Sequence, residues 1–249
     1  METYKAEGVI LQTSDFGDAN RVVTIFTKEF GKIEANAYGC RRVKSPLAGA
    51  TQIFNHVALE ISPGTKVDTI READILHFYK NLTADIDRLT YSAIFFEIVN
   101  KMTLPRTFEP NIFYLLVKSL PVLDSRNPRI AALIGACQFM QYSGEQLNFT
   151  NCVHCGEKIE GDAAISLTDG GAFCMNCIDY AQEISAYPEI LRLTFEKMLQ
   201  FDWREETKLT FKPKQIAAAE KFFLEYVHSI LGKELNSVKF LKQIKNSAK

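Results

Sequence analysis

Long apolar runs are missing from this chain of 249 residues. The longest apolar-rich stretch, Ile94 to Leu104, is broken by Glu97, Asn100 and Lys101. It is far shorter than the ~20 residues that a membrane-spanning helix needs. The opening residues, Met1 to Lys5, hold nothing like the apolar centre of a secretion signal. These absences place the chain in the cytoplasm, without a membrane partner. A surplus of charge is missing as well: 29 basic residues face 30 acidic ones, for a formal net charge of −1. Bulk attraction to nucleic acid is therefore excluded, and any such contact must come from a local patch. Histidine is scarce, with only His56, His77, His154 and His228, at spacings that suit neither a catalytic triad nor a catalytic metal. There is no internal repeat and no low-complexity segment. A balance of 47% hydrophobic and 24% charged residues excludes disorder as a description of the whole chain.

What is there falls into two styles. Residues 1 to about 80 read as β, with strands expected at Tyr4 to Gln12, Arg21 to Thr27, Lys32 to Tyr38, Ile53 to Ile61 and Val67 to Ile75. The third alternates most clearly, with Ile33, Ala35 and Ala37 on one face and Lys32, Glu34 and Asn36 on the other, the pattern of a half-buried strand. Gly17, Gly31 and the Pro63-Gly64 pair supply the turns. Five short strands in so few residues predict a small closed barrel of the OB type. From residue 81 to 249 the pattern is helical. A buried helix is expected over Ala84 to Leu104, and others over 111–123, 129–143 and Pro213 to Leu231, the last stopped by Gly232. The fold class is α+β: an N-terminal OB-type barrel, then an all-α domain carrying a cysteine-rich insert at about 150–178.

In that insert Cys152 and Cys155 are followed by Cys174 and Cys177. Each C-x-x-C pair can present two thiolates to one ion, and two pairs complete a tetrahedron, so one structural zinc per chain is expected. Four thiolates saturate the ion and leave no open position for catalysis. His154, between the first two cysteines, is expected to face solvent. A redox reading of the pairs would need a thioredoxin-like context that the flanking sequence lacks. Cys40 and Cys137 stand apart and read as buried packing residues.

The densest charge in the β region is Arg41, Arg42 and Lys44, with Arg21, Lys28 and Lys32 upstream. Cations on a barrel surface can track a phosphate backbone. On charge alone, that role and a plain solvated loop are both open. Tyr4, Phe16, Phe30, Tyr38 and Phe54 are the aromatics that could stack on bases, and most of them are expected in the core. Lys233, Lys239, Lys242, Lys245 and Lys249 form a second cationic cluster against the single acid Glu234.

The ordered combination of these residues resembles the N-terminal domain of the bacterial recombination mediators of the RecO family. It comprises Gly8 to Leu11, Phe16 to Arg21, Val22 to Thr27, Gly31 to Ile33, Gly39 to Ser45 and Pro63-Gly64. Phe223 to Tyr226, Gly232 to Leu235 and Lys239 to Lys242 resemble the end of that family's chains, as does the position of the four cysteines. Phe16 and Asp18 stand where a Tyr and a Glu are usual, and Cys40 lies just before the paired arginines. The resemblance implies a DNA repair and homologous recombination mediator of the RecF-pathway type that is not an enzyme. It would bind single- and double-stranded DNA, anneal complementary strands and pair with a RecR-type partner. It would also contact the acidic C-terminal tail of single-strand-binding protein and help load RecA. For that tail, Arg106, Arg126, Arg129 and Arg192 are the candidate cations of the helical region, although each could be a plain surface charge. No motif of the family is recognisable between residues 80 and 150.

Three other readings compete. A hydrolase or nuclease would need clustered carboxylates, and the close pair Asp85 and Asp87 sits where acids favour a helix start. An RNA-binding protein built from an OB barrel and a zinc ribbon is not excluded by the composition. A protein adaptor with negligible affinity for nucleic acid is the third.

Overall fold

The computed structural model of the chain describes residues 2–204 and 210–247. Five strands, β1 (Tyr4–Phe16), β2 (Asn20–Thr27), β3 (Gly31–Ala37), β4 (His56–Ser62) and β5 (Asp68–His77), close a barrel in the order β1-β2-β3-β5-β4. All neighbouring pairs are antiparallel except β3 with β5. A short helix, α1 (Leu47–Ala50), joins β3 to β4. This is the OB-type arrangement that the strand spacing predicts.

The barrel closes because its inward positions are apolar and small enough to meet. Ala6, Ile10, Val23, Ile25, Ile33, Ala35, Ala37, Val57, Leu59, Ile61 and Ile70 are buried together, and Cys40 is buried with them. In β3 the alternation holds through the whole strand, with Lys32, Glu34 and Asn36 facing outward. At the β2–β3 turn, Gly31 has φ +64° and a side-chain carbon there would lie 1.8 Å from the Thr107 carbonyl oxygen. Only glycine fits, so the segment after residue 102 can lie against the turn. The Arg106 N–H donates to the Lys32 carbonyl at 2.8 Å.

Asp68, almost fully buried, accepts from the Tyr4 hydroxyl at 2.5 Å, from the Arg106 guanidinium at 2.5 Å and from the Gly64 N–H at 3.0 Å. Burial alone would raise its carboxyl. The three donors overcome that and hold it below its ordinary value of 3.8. A carboxyl held low in the fold takes up its proton more readily when unfolded. The stability it confers is therefore complete above the ordinary value and is lost as pH falls through the lowered one. Thermal melts should show this directly: Asp68→Asn should melt lower than wild type near neutrality, and its melting temperature should fall less steeply between about pH 5 and pH 3.

The helices follow as α2 (Lys80–Ala84), α3 (Ile86–Met102), α4 (Pro110–Ser125), α5 (Pro128–Tyr142), α6 (Glu189–Leu199), α7 (Pro213–Leu231) and α8 (Asn236–Ser247). Asp85 caps α3 by accepting from the Arg88 N–H at 2.9 Å, and Asp87 lies in its first turn. The close acid pair is thus helix-start chemistry. The chain divides into two compact units: residues 1–135 with 235–249, and residues 136–234. In the first, Glu97 of α3 accepts from the N–H groups of Asn236 and Ser237 at 3.0 and 2.8 Å and from the Ser237 hydroxyl at 2.6 Å. One carboxylate so satisfies the start of α8, which the sequence pattern had not marked as a helix.

The second unit holds a three-stranded sheet of β6 (Ala163–Ser166), β7 (Gly171–Phe173) and β8 (Ile184–Tyr187), in the order β7-β6-β8. The β6–β7 hairpin lies between the two cysteine pairs, and β8 and α6 follow them. Phe149, Tyr187 of β8, Phe195 of α6 and Phe222 of α7 pack ring against ring. Gln138 of α5 donates to the Met198 and Phe201 carbonyls at the end of α6 and accepts from the Trp203 indole at 2.6 Å. No helix among the described residues is long and apolar enough to cross a membrane.

Candidate functional site

The second unit brings Cys152, Cys155, Cys174 and Cys177 together, with one sulfur from each and all four within 4.8 Å of one another. Each pair is folded by a tight turn. The Gly156 N–H returns to the Cys152 carbonyl at 2.9 Å, with Gly156 at φ 77°, and the Cys177 N–H returns to the Cys174 carbonyl at 2.9 Å. The Cys155 and Cys174 sulfurs are 3.9 Å apart. A disulfide would need about 2.05 Å. Tetrahedral thiolates at the usual metal–sulfur length of about 2.3 Å stand about 3.8 Å apart. The spacing therefore fits a shared ion rather than a bridge between sulfurs.

The electrostatics agree. Burial would raise the Cys152 thiol, but the N–H groups of Cys155, Cys174 and His154 aim at its sulfur and pull it down to about 6. Cys177 is pushed the other way, up to about 12, by burial and by hydrogen bonding to its neighbouring sulfurs. Four adjacent thiols cannot all ionise without a cation to neutralise them. His154 is outside the cluster, exposed and stacked on Tyr180 with ring centroids 4.1 Å apart. Cys40 and Cys137 are buried, as the sequence suggests.

The first unit gathers cations at one end of the barrel. Asp15 near the end of β1 sits between two arginines: Arg21 Nε is 3.0 Å from one carboxylate oxygen and Arg41 Nε is 3.2 Å from the other. The β1–β2 turn and the loop after β3 are stitched together, the Arg41 N–H donating to the Ala19 carbonyl at 3.0 Å and the Gly39 N–H to the Asn20 side chain at 2.8 Å. Arg42 and Lys44 follow, exposed in the same loop, with Val43 between them wholly in solvent. Phe16 and Tyr38 meet edge to face at 6.0 Å beside them. Asp15, Asn20 and Gly39 carry this construction, and charge counting did not point to them. A single carboxylate facing two cations was legible only once β1 and β2 were paired, Asp15 lying opposite Arg21.

Lys28 and Lys32 are elsewhere. β2 pairs with β3 from Arg21 opposite Ala37 to Thr27 opposite Gly31, so the Lys28–Lys32 turn is six strand steps, about 20 Å, from Arg21. Lys28 pairs with Glu7 at 3.5 Å. The Lys32 ammonium donates to the Asn100 carbonyl in the last turn of α3 at 2.5 Å, and burial lowers its pKa despite nearby Glu34. Of the candidate stacking aromatics, Phe54 is buried, and Tyr4 and Phe30 pack on each other.

The four arginines of the helical region do not form one cluster. Arg106 is committed to Asp68. Arg126 and Arg129 flank the α4–α5 turn. Arg192, in the other unit, is buried between Glu189 and Glu196 of its own helix at 3.2 and 2.8 Å. Among the C-terminal lysines, Lys239, Lys242 and Lys245 lie on α8, with the Lys245 ammonium 5.9 Å from the centre of the Tyr91 ring, whereas Lys249 lies outside the described residues.

Comparison with known proteins decides the family. The family model described as Recombination protein O N terminal matches residues 1–79, and the one described as Recombination protein O C terminal matches residues 83–239. The chain belongs to the RecO family. Relatives of this RecO-family chain include proteins named DNA repair protein RecO from Halalkalibacterium halodurans, 27% identical over 98% of this chain and 96% of that one. Others come from Bacillus pumilus, 29% identical over the same shares, and Bacillus cereus, 26% identical over 96% of this chain and 97% of the relative. The similarity to RecO proteins thus spans nearly the whole chain.

Proposed function

We propose that this RecO-family protein acts in DNA repair and homologous recombination by binding single-stranded DNA across one end of its barrel. Residues 1–80 form the DNA-binding module. Residues 81–249 form the helical module, with its zinc insert at 150–178. The observation that carries this reading is the pair Arg21 and Arg41 held on Asp15, with Arg42 and Lys44 exposed in the same loop and that loop tied by hydrogen bonds to the β1–β2 turn. Loops already ordered before binding lose little entropy when a strand arrives. Their guanidinium and ammonium groups supply the donors that phosphate oxygens accept. Such contacts fix a strand without reading its sequence. Lys28 and Lys32 are left out of the path because they are engaged about 20 Å away.

On this reading the protein also anneals complementary strands and binds duplex DNA. It pairs with a RecR-type partner and the tail of single-strand-binding protein, and it helps load RecA in the cytoplasm, with no covalent chemistry of its own. Cys152, Cys155, Cys174 and Cys177 would hold one zinc ion, which supplies structural cross-linking of the insert.

Fluorescence anisotropy with a labelled oligonucleotide tests the proposal, with RNA of matched sequence as competitor. Preferential displacement by RNA would favour the RNA-binding alternative, and no binding at low salt would favour a plain adaptor. Asp15 gives a sharper check. Its carboxylate competes with phosphate for Arg21 and Arg41, so Asp15→Asn should tighten single-strand binding by about two- to fivefold. The fold should be spared, because exposed ion pairs contribute only about 0–1 kcal/mol. Unchanged or weaker binding would mean that these arginines do not face the strand.

A further inference from the structure

We infer that Tyr38 is the base-stacking residue of this surface, and that it gives the barrel its preference for unpaired over paired strands. This rests on the proposed DNA path and adds to it a contact that charge cannot provide. Cations draw in any polyanion, duplex as readily as single strand. A ring can stack only on a base whose face is open, and in a duplex the neighbouring pairs cover those faces.

Three observations single out Tyr38. It is 56% exposed, unlike Phe26 and Phe54 in the same module, which are almost fully buried. Its position is fixed on both sides: it directly follows the last residue of β3 and precedes Gly39, which has φ 67° and whose N–H is held by Asn20. It is also backed by Phe16 in a near-perpendicular contact at 76°. A contact of that kind steadies the ring and occupies at most one of its faces. The pair sits within the segments that present Arg21, Arg41, Arg42 and Lys44, so a strand held there by its phosphates has bases within reach of the ring. Of the other exposed aromatics of the module, Phe30 packs on Tyr4 at the β2–β3 turn, away from these cations, and Phe78 directly follows the end of β5, outside the two loops that carry them.

The test uses the full-length protein and two probes, a single-stranded oligonucleotide and the matching duplex, each titrated at several salt concentrations. Tyr38→Ala should weaken single-strand binding about tenfold and leave duplex affinity within about twofold. The salt slope should stay unchanged, because no charge is lost. Tyr38→Phe and Tyr38→Trp should retain wild-type affinity. An oligonucleotide with abasic sites should bind wild type about as weakly as the intact strand binds Tyr38→Ala, and combining the two changes should add little more, since both delete one contact. Equal losses on single strand and duplex, or a flattened salt slope in Tyr38→Ala, would overturn the inference by showing that the residue only shapes the loop. Full single-strand affinity in Tyr38→Ala would overturn it too. The alanine triple variant of Arg41, Arg42 and Lys44, run alongside, separates the two ideas: if it loses binding while Tyr38→Ala keeps it, the phosphate path stands and only the stacking role fails.

Discussion

Replacing Cys174 by serine is expected to abolish the fold of the cysteine unit while the barrel stays intact. The β6–β7 hairpin is only four residues against three, and its one further partner in the sheet is the four-residue β8. Strands so short are not stable alone in water. Around them the chain from Asn148 to Tyr180 is built from turns, a three-residue helix and the four cysteines. Metal binding in comparable small sites amounts to roughly 10–16 kcal/mol of folding free energy, far more than this hairpin could supply by burial. The barrel's own core is drawn entirely from residues 6 to 70 and includes none of the insert. Freshly purified protein should contain about one zinc per chain by elemental analysis. In Cys174→Ser, or after chelation, amides of residues 163–173 should exchange freely while those of β2 and β3 stay protected. Metal-free protein with unchanged exchange in the hairpin would contradict the assignment.

The second large effect concerns DNA. Replacing Arg41, Arg42 and Lys44 together by alanine should weaken single-strand binding by one to two orders of magnitude at about 0.1 M salt, since each phosphate contact is a released counterion. The melting temperature should change little. Arg42 and Lys44 are exposed, Arg41 shares Asp15 with Arg21, and the loop keeps its backbone bonds to Ala19 and Asn20. The lysines of α8 offer a second cationic surface in the same unit. They set a floor beneath the loss rather than preventing it.

How much of this could be read from the chain depends on how local each signal was. The barrel strands were legible because inward alanines, valines and isoleucines alternate with charged residues, as in Ile33, Ala35 and Ala37. The extension of β1 to Phe16 was not, since Thr13 to Phe16 pair with β2 beyond the core and carry no buried face. The cysteine site was legible because both pairs are local in sequence, and the geometry added only that the four sulfurs converge. Strand β8 and helix α8 escaped. Three of four residues in β8 are exposed, and α8 buries only Ser237, Val238 and Leu241. The role of single charges was least legible. Arg106 looks like a surface cation until Asp68, 38 residues earlier, proves to be buried against it. Lys32 looks like a DNA contact until α3 lies over it. Such pairings are set by tertiary packing, which no periodicity encodes.

The central claim is that a strand's phosphates lie along the loop from Gly39 to Ser45 and the β1–β2 turn. The salt dependence of single-strand affinity tests it most directly, measured for wild type and for the Arg41, Arg42 and Lys44 alanine variant under identical conditions. Each neutralised phosphate contributes about 0.7 to the logarithmic slope on single strands, so the variant's slope should be shallower by about two units. Equal slopes in the two proteins, with affinity retained, would contradict the account and move the DNA path off this end of the barrel.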